Sequence, residues 1–147
     1  MAQTTQTCPR AQAQAVLAIR HARILAEHLA QMPDPPIGDL SRTALDATRR
    51  RLESGHITDG RNLVVLEVLQ KGFAERMAAE ITGSIMEPQP AGSDGEGELW
   101  VWVGVPTYTR RGEAARMLHD HLTRLLELRQ DLLDRAAAER LAAGLMR

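Results

Sequence analysis

The chain has 147 residues with 18 Lys plus Arg against 19 Asp plus Glu, a formal charge of −1 in a length that suits one domain. Its 33 Leu, Ile, Val and Phe lift it above the disordered composition class, and its single cysteine, Cys8, excludes an internal disulfide and a cysteine zinc site. No apolar run reaches membrane-spanning length and the start lacks a secretory leader pattern, so the expectation is a soluble cytoplasmic protein, built mainly of helices given 21 Ala and 19 Leu.

Residues 1–10 carry no periodicity and end at Pro9-Arg10, which predicts a disordered tail followed by a single helical domain over 11–147. From Ala11 to Gln31, Val16, Ile19, Leu25 and Leu29 lie among alanines at helical spacing. The prolines at 33, 35 and 36 stop that helix, since each lacks an amide donor and restricts the residue before it. Asp39 or Ser41 then caps a short basic helix through Leu45 and Leu52, which Gly55 ends. Two readings compete for the next stretch. In one, Thr58 or Asp59 caps a helix with Leu63, Leu66, Leu69, Phe73, Met77 and Ile81 on one face. In the other, Asp59-Gly60 turns a hairpin between strands at 56–58 and 63–68; the face pattern favours the helix.

Residues 88–98 combine prolines, glycines and acids and predict a solvated loop. The stretch from Glu98 to Val105 alternates, with Leu99, Val101, Val103 and Val105 on one face and Trp100 and Trp102 on the other, and its expected hairpin partner is Ser84 to Glu87. A lone hairpin needs support, so it is expected to pack on the helices with the indoles in the core. Thr109 caps a helix over 110–144 with Leu118, Leu122, Leu125, Leu132 and Ala136 near heptad spacing, a length that implies a homodimer seam along this helix. The predicted fold class is mainly α, in the order α-α-α-β-β-α, with a small hairpin at 84–105 and a long C-terminal helix.

Charge is uneven. Residues 41–62 hold five Arg against three acids, whereas residues 63–98 hold seven acids against Lys71 and Arg76. The segment from Ser41-Arg42-Thr43 through Arg49-Arg50-Arg51-Leu52-Glu53 to Gly55, followed by Asp59-Gly60-Arg61, Leu63 to Leu66 and Lys71-Gly72, resembles the recognition helix and wing of bacterial winged-helix transcriptional regulators of the MarR and GntR types. Over residues 41–72, that resemblance implies a dimeric DNA-binding regulator, with Arg42, Thr43, Arg49 and Arg50 at the DNA and Arg61 at a wing tip.

A reading of a different class is a protein-interaction module, an adaptor or inhibitor, that engages its partner through Trp100, Trp102, Tyr108, Arg110 and Arg111 with the acidic loop. No nucleotide, nucleophile or metalloenzyme motif occurs, so no catalytic residue, cofactor or metal is expected. His119 and His121 diverge on a helix, and His21 and His28 have no third ligand at helical spacing.

Overall fold

A computed structural model describes residues 9–93 and 98–145 of the chain. Most of the predicted tail, with Cys8, and the centre of the acidic loop at 94–97 lie outside the described residues.

Six elements follow one another: α1 (Pro9–Gln31), α2 (Arg42–Glu53), α3 (Arg61–Ala79), β1 (Ile81–Ser93), β2 (Glu98–Tyr108) and α4 (Arg110–Leu145). The order is the expected one, and the fold is mainly helical with a two-stranded antiparallel hairpin. Alternation along the helices follows from side-chain contacts. His21 of α1 meets His121 while Asp34 meets Arg111, so α1 and α4 run antiparallel. Gln70 of α3 bonds Thr123, and Glu80 bonds Thr109, so α3 and α4 do likewise. The helices thus form an up-down-up-down bundle, with the hairpin inserted between α3 and α4 at one end.

The helix ends sit where the local chemistry puts them. Ser41 Oγ accepts the Ala44 amide and caps α2. At its other end, Gly55 takes φ 81°, a region without penalty only for glycine, and the His56 and Gly55 amides bond the Arg51 and Leu52 carbonyls. Residues 61–79 are one continuous helix, so the strand pair at 56–58 and 63–68 does not form. Asp59-Gly60-Arg61 is the start of α3, where Asp59 accepts from the Arg61 backbone and side chain. Thr109 Oγ1 accepts the Gly112 amide and caps α4, as expected.

The core joins Leu25 and Leu29 of α1, Leu45 and Leu52 of α2, Leu66, Leu69 and Phe73 of α3, and Leu118, Leu122, Leu125 and Leu128 of α4. Each such leucine contributes roughly 1.5–3 kcal/mol by leaving water. Ala18, Ala22 and Ala26 are buried on α1 in the same core and allow close approach of helices, which is the use of an alanine-rich composition. The expected dimer stripe of α4 is therefore spent within the chain, since Leu118, Leu122 and Leu125 are covered by its own helices. Among the described residues, α4 is exposed throughout from Ala138 onward, with Leu141 and Leu145 the large apolar side chains there.

Two expectations for the hairpin are corrected. First, β1 runs to Ser93, so Pro88 and Pro90 belong to a strand and not to a loop. Second, the hairpin does not pack on the helices: residues 81–92 and 99–104 are exposed on both faces. Ile81, expected on the α3 face, is the first residue of β1 and is exposed, because α3 ends at Ala79.

Candidate functional site

The most unusual surface is this two-stranded ribbon. Its register pairs Ser84 with Pro106, Ile85 with Val105, Met86 with Gly104, Glu87 with Val103, Pro88 with Trp102, Gln89 with Val101 and Pro90 with Trp100. Opposed residues share a face. One face thus carries Trp100 beside Pro90, Trp102 beside Pro88, and Met86 beside Gly104; the other carries Leu99, Val101, Val103 and Val105 with Ile85. A bulge between Pro90 and Gly92 interrupts the ladder, and Gly92 takes φ 119° there, open to glycine and strained for other residues.

Both indoles lie in water, Trp100 at 57 % and Trp102 at 68 % exposure, which overturns the expectation of core indoles. The reason is topological: β1 and β2 leave the bundle end together, and among the described residues no helix covers either face beyond the root beside α4. Both faces of the ribbon are thus apolar and exposed, one through Met86, Trp100 and Trp102 and the other through Ile85, Leu99, Val101 and Val103, and exposed apolar surface of this kind marks interaction sites.

The prolines show how the ribbon's edges differ. In an antiparallel pair, alternate residues send their N–H and C=O to the partner strand or away from it. Pro88 and Pro90 of β1 and Pro106 of β2 all fall in one register class, with Trp100, Trp102 and Gly104. That is the outward-pointing class, where a proline removes no ladder bond. The outer edge of β1 therefore lacks donors at Pro88 and Pro90, while the outer edge of β2 keeps free amides at Trp100, Trp102 and Gly104.

The root of the ribbon is pinned. Thr109 donates its backbone N–H to the Glu80 carbonyl (3.0 Å) and its hydroxyl to the Glu80 carboxylate (2.6 Å). Thr82 and Thr107 hydroxyls meet at 3.0 Å across the strands. Gly112 lies so close to Glu80 and Tyr108 that a Cβ there would stand 2.8 Å from both. Tyr108 is thus partly buried at the root, and Arg111 is drawn to Asp34 (3.0 Å), which also pairs with Arg76 (3.3 Å). Of the five residues expected to bind a partner, Trp100 and Trp102 are on the ribbon, Arg110 and Arg111 are exposed at its root, and Tyr108 serves the junction.

The residues expected at DNA lie on a separate surface. Arg42, Thr43 and Arg50 are exposed on α2. Arg42 donates to the Pro33 carbonyl (2.9 Å), and Arg49 is paired with Asp46 (3.5 Å) and Glu53 (3.4 Å). Arg61 is held by Asp59 (2.7 Å), and these hydrogen bonds from Arg61 keep the Asp59 carboxyl well below the usual carboxylate range. Arg51 turns inward, donating to Asn62 Oδ1 (2.6 Å) and Thr48 Oγ1 (3.0 Å).

A shallow cleft of about 620 Å³ between the residues after α1 and helix α3 is lined by Pro36, Asp39, Lys71, Glu75 and Arg76 without a nucleophile and base in contact. Among the described residues, no group of three or more His, Cys, Asp or Glu could hold a metal. The chain matches no protein-family description, curated protein or solved structure with which it was compared.

Three features escaped the sequence. The His21–His121 contact (Nδ1 to Nδ1, 3.0 Å) joins residues a hundred positions apart and leaves no local signal. The role of Asn62, which ties Arg51 and the His56 carbonyl together at the α2–α3 corner, carries no motif in the sequence. The shared parity of Pro88 and Pro90 was visible, and read against the alternation of 99–105 it could have extended β1.

Proposed function

We propose that this is a non-enzymatic protein-interaction module, an adaptor or inhibitor in kind, in which a helical bundle displays a β-ribbon to another polypeptide. The observation that carries the reading is the exposure of Trp100 and Trp102 on a long ribbon whose faces no described helix covers. Tryptophan is among the residue types that dominate binding energy at protein interfaces. The ribbon's charge favours protein over nucleic acid: residues 81–108 contain Glu87, Asp94, Glu96 and Glu98 and no Lys or Arg.

The DNA-binding regulator of the winged-helix type is the competing reading. It draws on Arg42, Thr43 and Arg50 on the outer side of α2, and it is weakened by the neutralisation of Arg49 and Arg61 by neighbouring acids. The experiment compares the wild-type chain with Trp100→Ala/Trp102→Ala and Arg49→Glu/Arg50→Glu. The tagged variants are assayed for partner capture from an extract of the cells that encode them and for duplex DNA binding at low salt. The reading predicts capture lost only with the tryptophans. Salt-sensitive DNA binding abolished by Arg49→Glu/Arg50→Glu, with no effect of the tryptophans, overturns it.

A further inference from the structure

We infer that the open edge of β2 pairs with the same edge of a second copy of this chain, giving a four-stranded antiparallel sheet across a two-fold axis. The inference rests on the ribbon being the interaction surface and names the partner that surface fits.

A ribbon of only two strands, bare on both faces, is marginal in water by itself, and its stability calls for a third strand or a cover. The two edges are not equivalent. Pro88 and Pro90 remove successive outward donors from β1, as edge strands do when pairing is to be prevented. On β2 the outward amides of Trp100, Trp102 and Gly104 remain, and only Pro106 near the root is blocked.

Self-pairing of β2 centred on Val101 uses all three of these amides within the strand and avoids the proline; centring it on Trp100 would leave Gly104 opposite residue 96, outside the strand. With Val101 opposite the partner's Val101, Trp100 stands opposite the partner's Trp102 and Glu98 opposite the partner's Gly104, each a pair that exchanges two hydrogen bonds. Shifting the axis to Trp102 would set Pro106 in the bonded class opposite Glu98 and lose donors. In the favoured register the indoles of both copies line one face of the sheet, flanked by Pro88 and Pro90, and the valines of both copies line the other. A foreign strand would need the same alternation; a second β2 supplies it by symmetry.

Charge agrees with this direction. The ribbon's acids at 94, 96 and 98 lie around the β1–β2 connection in sequence, and Arg110 and Arg111 follow its root. Antiparallel pairing sets the acidic end of one ribbon toward the arginine-bearing root of the other.

The test uses the full chain in light scattering coupled to size exclusion over a range of concentration. Gly104→Pro removes an outward amide of β2, Ser84→Pro removes one of β1, and far-ultraviolet circular dichroism checks that the bundle is retained in each. The expected result is a wild-type dimer that Gly104→Pro weakens by about tenfold or more and Ser84→Pro leaves unchanged. In a Cys8→Ser background, Val101→Cys is expected to give a disulfide-linked dimer on oxidation, because facing residues of a non-bonded pair are about 4.5 Å apart at Cα. Val103→Cys, not opposite itself, is expected to give none.

A wild-type chain that stays monomeric at every concentration overturns the inference, as does a dimer indifferent to Gly104→Pro and dissolved by Leu141→Glu/Leu145→Glu on α4. Tryptophan emission separates the two levels of the argument. A monomer with water-exposed indoles removes self-pairing and leaves the interaction ribbon standing; a monomer with buried indoles removes both.

Discussion

Asn62 shows how much one side chain can hold in place. It is fully buried, it donates Nδ2–H to the His56 carbonyl (2.8 Å), and its Oδ1 accepts from Arg51 Nε (2.6 Å). Asn62→Ala strands a buried carbonyl and a charged donor at once, so a loss of roughly 2–4 kcal/mol in urea-unfolding stability is expected. Gly72 is the second such position. A Cβ there would lie 2.5 Å from Pro36 Cβ and 2.7 Å from its carbonyl oxygen, a rigid obstacle, so Gly72→Ala is expected to cost about 1–3 kcal/mol in the same assay.

His21 gives the fold a pH dependence. Its pKa is lowered from 6.5, first by burial and then by His121, Arg124 and Arg20 nearby. In the folded state it therefore binds fewer protons than in the unfolded chain. Its contribution is intact above about pH 6.5 and is lost as pH falls through the lowered folded value. The melting temperature is expected to drop between about pH 7 and about pH 5, and His21→Gln is expected to reduce that drop. An equal drop in the variant would assign the dependence to other groups.

Among the elements, the helices were the most legible in sequence, because their apolar spacing, caps and breakers agree. Ser41, Gly55 and Thr109 do at α2 and α4 what their residue types predict. The 56–68 stretch was ambiguous because Asp59-Gly60 serves equally as a hairpin turn or a helix entry; the 3.6-residue spacing of Leu66, Leu69 and Phe73 decided for the helix through burial. The ribbon was half legible. Alternation located β2, but the prolines of β1 read as loop residues since local propensity does not say which amides face outward. Nothing local could state that both faces would be bare, which depends on where the bundle ends. The root, by contrast, makes a sharp expectation. Thr109→Ala removes the α4 cap and the hydroxyl bond to Glu80, so a loss of about 1–2 kcal/mol is expected in thermal unfolding, with the helical content retained.

At the scale of the whole molecule, two surfaces compete for function. The α2 face carries arginines, but Arg49, Arg51 and Arg61 are engaged with side chains of the same corner, which leaves Arg50 and Arg42 as its outward cations. The ribbon stands away from the bundle, apolar on its faces and acidic in sequence, with a fixed root. No helix among the described residues is long and apolar enough to cross a membrane. The end of α4 offers Leu141 and Leu145 as a smaller exposed patch, and Leu141→Glu/Leu145→Glu is expected to leave the melting temperature within about 1 °C of wild type, because both side chains are largely exposed.

The chain's only tryptophans are the two on the ribbon, so their fluorescence reports on that element alone. The decisive measurement is emission and acrylamide quenching of the isolated full chain, taken at the lowest concentration that gives a signal and repeated as concentration rises. The account predicts emission and quenching close to those of tryptophan in water at high dilution, moving to shorter wavelength and protection as ribbons pair. Emission that is short-wavelength and protected in the dilute monomer would place both indoles in a core and contradict it.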